Sequence, residues 1–201
     1  DQIPYDNISP SKEIQTSRLD TLFHLSSKNQ SKKIILTTLN AIIQKTLPKN
    51  EITKNFITIS RKSKIKIDKI LLLLIKLGYE RNSLVRDKSE FAIRGSIIDI
   101  FLPHFDKPIR IDLFDDEIDS IFEFDPISQK RLKESKIESF TLNPSSELIL
   151  DKKNIEKFRS EFRSIFQHHR NSQTYELFSS GVVPSGGEQF LPLFYENLET
   201  L

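Results

Sequence analysis

Three observations predict an α/β chain of the α+β kind: amphipathic helical patterns open and close the sequence, an unbroken β-branched run stands at Ile34 to Leu39, and period-two segments fill the middle. The expected arrangement is part of an α/β layer, then a small mixed domain with an antiparallel meander and flanking helices.

The opening residues, DQIPYDNISP, read as a Pro-punctuated loop. Ser11 suits a helix N-cap and would place Ile14, Leu19, Leu22 and Leu25 on one apolar stripe. After Lys32-Lys33, the run IILTTL has the composition of a strand buried on both faces. A short helix from Asn40 to Leu47 should stop before Pro48. These elements are too few to close a sheet, so the rest of that layer is expected upstream of Asp1. Ile52 to Ser60 reads as a further strand. From Asp68 to Leu77 the spacing predicts an amphipathic helix, with Asp68 near its positive end and Gly78 as its stop.

The segments FAIRGSIIDIF, PIRIDLF and IDSIFEFD alternate with a period of two, separated by Pro103, Lys107-Pro108 and Asp115-Asp116. Three sequential antiparallel strands are the simplest arrangement, and ESFTLNP adds a fourth. In LDKKNIEKFRSEFRSIFQHH, the residues Ile155, Phe158, Phe162, Ile165 and Phe166 recur at helical spacing behind Asp151. That helix is expected to pack on something outside the chain. The closing segment reads as an irregular connection followed by an apolar stretch from Phe190 to Tyr195.

Composition narrows the function. The chain has 201 residues, of which 37% are hydrophobic, enough for one large or two small cores. Lys and Arg number 30 against 28 Asp and Glu, a formal charge of +2, so overall electrostatics point neither to nucleic-acid wrapping nor to membrane adsorption. The absence of Cys removes disulfides, thiolate zinc sites and Cys nucleophiles. No apolar run approaches the ~20 residues of a membrane span, and no signal-peptide pattern opens the chain, so a soluble, cytoplasmic protein is expected. A chain that lacks Met and begins at Asp1 reads as an excerpt of a longer protein.

Little in the sequence carries catalysis. No GxxxxGK[ST] loop occurs, and Ser185-Gly186-Gly187 lacks a following Lys, so ATP hydrolysis is not expected. His168-His169 are adjacent, point to different sides of a helix, and make a poor metal pair. Asp112, Asp115, Asp116, Glu117 and Asp119 suit a turn and a solvated strand face better than a cation site. Arg61, Lys62, Lys64 and Lys66 form a basic run, but interleaved acids and the lack of stacking aromatics favour a solvated face over a nucleic-acid site.

A mixed strand surface is more informative. Phe91, Ile93 and Gly95 share one parity and Ala92, Arg94 and Ser96 the other, so Arg94 should leave the core beside small residues. Ile109, Ile111 and Leu113 form one face of the next strand, with Arg110, Asp112 and Phe114 on the other. Opposite charges beside an aromatic suit a protein-binding patch, and mutual neutralisation of Arg94 and Asp112 is an equally weighted alternative.

These segments carry a family resemblance. GYERN at 78–82, EFAIRGSIIDIF at 90–101, PIRIDLFDDEIDSIFEFDP at 108–126 and FRSEFR at 158–163 resemble, in order, the UvrA-binding domain shared by the UvrB and Mfd families. YDNISPSKEI, TTLNAIIQKTLP, FDPISQK and EQFLPLFYENLETL are similar to the Mfd, or transcription-repair coupling, family. The resemblance implies a remnant of a helicase-like α/β layer over 1–46, a UvrA-binding domain over 47–147 and the start of a second helicase-like part over 148–201. It implies a non-catalytic docking module that recruits UvrA in nucleotide excision repair and needs no cofactor. ATP, Mg, DNA and RNA polymerase would engage other parts of the full-length family. An excerpt of UvrB, a DNA-dependent ATPase, and a direct nucleic-acid-binding module are the alternatives.

Position by position, the resemblance gives partner-binding roles to Arg81, Arg94 and Asp112, with Arg110 and Phe101 completing the set. Phe101 is the weaker member, because its parity matches Phe91 and Ile93 and so assigns it to the core. UvrB carries a further Arg where this chain has Ala92. The second Gly usual in RGGIIDIF is Ser96, and the Pro-Gly usual before EFA is Lys88-Ser89.

Overall fold

The computed structural model describes residues 8–26, 32, 34–132, 136–167 and 171–200. The first seven residues of the opening loop, and His168-His169, lie outside the described residues. The chain divides into two compact units, one comprising Lys12–Phe23 and Asn55–Ser146, the other the described parts of Asp1–Ser11, His24–Lys54 and Glu147–Leu201. An α+β fold is observed, with helices and two sheets. Among the described residues no helix is long and apolar enough to cross a membrane.

The central unit is built on a sheet of order β2-β3-β4-β5-β6, formed by Glu80–Arg81, Glu90–Arg94, Ile97–Ile100, Ile109–Phe114 and Glu117–Glu123. β2 runs parallel to β3 and every other neighbour is antiparallel. The single strand expected over FAIRGSIIDIF is instead a hairpin. Gly95 and Ser96 are its two-residue turn, and only Gly95 has positive φ, at 60°, the sign pattern of a type II′ turn. Arg94 therefore opposes Ile97 and Ala92 opposes Asp99. The last hairpin turns at Asp115-Asp116, with Asp115 at φ 54°. A bulge at Asp119, between the Asp112–Ser120 and Leu113–Ile118 pairs, lets both Ile118 and Ile121 face the core despite their odd spacing.

One sheet face is dry. Phe91, Ile98, Ile100, Ile109, Ile111, Leu113 and Ile121 pack with Ile70, Leu74 and Leu77 from the helical segment IDKILLLLIKL. α4 (Ile67–Lys76) has Asp68 in its first turn and Lys76 in its last, both complementing the helix dipole. Each fully buried Leu or Ile contributes about 1.5–3 kcal/mol relative to exposure. ESFTLNP does form a strand, β7 (Ser139–Leu142), but it pairs with β1 (Ile57–Ser60) in a separate two-stranded sheet rather than extending the meander. Ile52 and Thr53, expected in that strand, close the short helix α3 (Lys49–Thr53) behind Pro48.

α4 ends where Gly78 adopts φ 85°, and the next residue, Tyr79, turns into the core and donates its hydroxyl to Asn143 O at 2.9 Å. Burial pushes the Tyr79 pKa well above the ordinary tyrosine value. Ser145 N donates to Leu77 O at 2.8 Å, closing the chain against the helix end.

The other unit is aromatic. α5 (Lys152–Ile165) is capped by Asp151, whose side chain accepts from Asn154 N at 2.9 Å. Its Phe158 and Phe162 pack with Leu47, Leu148, Phe178, Leu191, Phe194 and Tyr195. The partner expected outside the chain is thus supplied by α6 (Gln173–Ser179) and the 3-10 helix Gly187–Leu193 of the supposedly irregular tail. Phe158 lies 4.7 Å from Phe178 and 4.8 Å from Phe194 between ring centroids.

The strand expected at Ile34 to Leu39 does not form; Ile34 and Leu36 are both 93% exposed. A strand needs a neighbour for its backbone groups, and among the described residues none pairs with this run. The helix after it is shorter than expected, Leu39–Ile43, with Thr38 as N-cap. α1 (Lys12–Ser26) begins immediately after Ser11, and Leu22 is buried while Ile14 is exposed.

Three backbone positions generate predictions. A Cβ at Gly78 would sit 2.7 Å from Ser146 Cβ, whereas at Gly95 it meets open space. Gly95→Ala should cost about 1 kcal/mol for positive φ alone, and Gly78→Ala about 3 kcal/mol, by urea denaturation. Ser89 occupies φ 69° with a buried hydroxyl that has no hydrogen-bond partner among the described residues. Ser89→Gly should raise stability by about 1 kcal/mol in the same assay.

Candidate protein-docking face

The face of the sheet turned away from α4 is organised by one carboxylate. Asp99 on β4 is wholly buried, and two arginines from the flanking strands converge on it. Arg110 on β5 donates Nε to Oδ1 at 2.6 Å and Nη2 to Oδ2 at 2.9 Å, a bidentate fork. Arg94 on β3 donates Nη2 to Oδ2 at 2.6 Å.

The arginines differ in exposure. The Arg110 side chain is 15% exposed; its guanidinium lies over the Phe124 ring, 4.6 Å from the centroid, and makes long contacts of 3.4 and 3.5 Å to Gln129. Hydrogen bonding to Asp99 raises its already high pKa, with the charges of Asp99 and Asp112 adding and desolvation opposing. Arg94 is 40% exposed, and Asp99 is its one side-chain partner among the described residues. The segment FDPISQK closes the Arg110 end of the cluster. Gln129 Nε2 donates to Val85 O at 3.1 Å and to Pro126 O at 2.8 Å, and Asp125 Oδ1 accepts from Ser128 N at 2.7 Å, which lowers the Asp125 pKa.

Register puts Asp112 opposite Ile97, in the row that contains Arg94. Asp112 does not neutralise Arg94; its Oδ2 accepts from Ser120 Oγ at 3.2 Å. Phe114, at the end of the same strand, is 76% exposed. Phe101 is buried as expected, but on the opposite side of the sheet from Phe91 and Ile93. The hairpin turn exchanges the parities, so Phe101 joins Val85, Ala92 and Phe124 in a small cluster on the arginine side. Arg81 stands apart. It is exposed on the edge strand β2 and opposes Phe91, so its row is the one that faces the core.

Asp99 is the residue that the sequence analysis missed. Reading FAIRGSIIDIF as one strand gives Asp99 the parity of Phe91 and hides it in the core. The signal was the Gly-Ser pair after Arg94, which permits a two-residue turn, and a lone acid within IIDIF between two arginine-bearing segments.

The basic run at Arg61 is differently placed. Arg61 Nη1 binds Glu138 at 2.9 and 3.3 Å and its Nε donates to Asp119 O at 3.0 Å, while Lys62 N donates to Ile118 O at 2.8 Å. Among the described residues no group of three or more His, Cys, Asp or Glu is arranged to hold a metal ion.

Comparison with known proteins relates the residues of this unit to a family. The profile of the UvrB interaction domain matches residues 57–148, the span from β1 through β7. The chain is 39% identical over 201 residues to the transcription-repair-coupling factor of Haemophilus influenzae, covering 99% of this chain and 17% of that protein. It is 34% identical over 194 residues to that of Escherichia coli, covering 96% and 17%, and 37% identical over 202 residues to that of Rickettsia typhi, covering 100% and 18%. It thus spans about a sixth of the length of these curated relatives. Residues 57–148 thus match the UvrB interaction domain family, and along its length the chain is similar to one segment of the transcription-repair-coupling factors.

Proposed function

We propose that this chain is a non-catalytic docking module that recruits UvrA for repair of lesions at which transcription has stalled. The observation that carries the reading is the half-exposed Arg94, ordered on a buried carboxylate, on the sheet face opposite the dry core. An exposed, ordered guanidinium with spare donors is suited to a carboxylate on a protein partner. The family supports a repair role, and the relatives' names favour coupling of repair to transcription over an origin in UvrB.

Arg94 and Asp112 are proposed as direct contacts, with the exposed Phe114 on the strand of Asp112 as an apolar anchor, and Arg81 as a further contact from the β2 edge. Phe101 shapes the surface from beneath. Translocation on DNA, ATP use and engagement of RNA polymerase are assigned to other parts of a longer bacterial, cytoplasmic protein.

The test is calorimetric titration of purified UvrA into the chain. Saturable binding is expected, weakened about tenfold or more by Arg94→Ala and by Arg81→Ala, and unaffected by Arg61→Ala. A well-folded chain that shows no binding to UvrA would defeat the reading. Salt-sensitive DNA binding lost on neutralising Lys62, Lys64 and Lys66 would move the assignment to a nucleic-acid module.

A further inference from the structure

We infer that Asp99 is a positioning residue for partner recognition, with Arg110 as a brace rather than a contact; the inference rests on the docking reading above. Asp99 holds the Arg94 guanidinium in one orientation, so that its outward N–H groups meet a carboxylate on the partner.

The division of labour follows from counting donors. A guanidinium carries five N–H groups in a rigid plane. Arg110 commits its Nε and Nη2 edge to Asp99, turns its remaining donors toward Gln129 and covers its face with Phe124. It has little left to offer a partner. Arg94 commits a single Nη2 bond and keeps its other N–H groups free of partners among the described residues.

Charge points the same way. Two guanidinium cations share one buried carboxylate, Asp112 is the further anion on the same face, and the cation left exposed is Arg94. An anion is therefore selected, and a planar fork selects a planar carboxylate over a point charge. Since Arg94 is already tethered by Asp99, less side-chain freedom is lost on binding than for an untethered arginine. A buried acid serving structure alone would satisfy Arg110 and leave Arg94 unconstrained. Asp99 instead accepts from both, with its Oδ2 shared between them.

The experiment compares UvrA affinity for wild type, Asp99→Asn, Arg94→Ala, the double variant and Arg110→Met, with guanidinium NMR of each chain alone. Asp99→Asn should weaken binding about tenfold in the wild-type background and less than about twofold in the Arg94→Ala background, because it acts through Arg94. Arg110→Met should cost less than about threefold, far less than Arg94→Ala. In the wild-type spectrum the Arg94 Nη groups should show hindered rotation, lost in Asp99→Asn while the backbone spectrum persists. Additive effects of Asp99→Asn and Arg94→Ala would overturn the inference. So would an Arg110→Met loss equal to that of Arg94→Ala, or freely rotating Arg94 Nη groups in the wild type. If Asp99→Asn fails to fold, Arg110→Met and the wild-type NMR still decide it. If the wild type binds no UvrA, the docking reading fails together with the recognition role, while the NMR reports separately on the tether.

Discussion

The register of one hairpin governs the rest of the docking unit. With Gly95 and Ser96 as a two-residue turn, Arg94 must face Ile97, and every residue of β4 takes the side opposite to that of a continuous strand. Ile98 and Ile100 enter the dry core, and Asp99 is delivered beneath the arginines. A slip by one residue would bury Asp99 among isoleucines without a partner, at a desolvation cost of several kcal/mol. The turn and the ion cluster therefore enforce each other. Gly95 makes the register possible, and the cost of an unpaired carboxylate excludes its neighbour.

Elements set by local pattern were legible in the sequence, whereas those set by pairing were not. α4 was readable within a residue at each end because Asp68, the leucine run and Gly78 state start, stripe and stop locally. Asp151 announced α5 in the same way. In contrast, Ile34 to Leu39 has strand composition yet forms none, because β structure is a property of two segments and not one. β7 likewise looked like a fourth meander strand, but its partner is β1, some eighty residues earlier. The site was legible as a list of types. Arg94, Arg110 and Asp112 were recognisable as a charged strand face, while the buried acid that orders two of them was invisible until the turn was located.

The cluster is poor evidence of stabilisation. Burying Asp99 and most of Arg110 has a desolvation penalty that apolar side chains of similar volume would avoid, and Val85, Ala92, Phe101 and Phe124 show that an apolar cluster does grow on the same face. What the ions contribute is direction. Hydrogen bonds of 2.6 Å from two strands fix an orientation that apolar packing would leave degenerate. Ser89 shows the same tolerance for local cost, with a non-glycine residue at positive φ holding the approach to β3.

The sheet's borders have a consequence for colloidal behaviour. A face that displays cations and an aromatic would be hazardous next to a long, flat border strand, since unsatisfied backbone groups there template intermolecular pairing. Here one border is β2, only two residues long, and the other is β6, broken by its bulge at Asp119 and bridged through Glu117 to Lys64. Neither offers a continuous ladder. The five-stranded sheet can thus display this face while its own borders give a second copy no continuous ladder to zip onto.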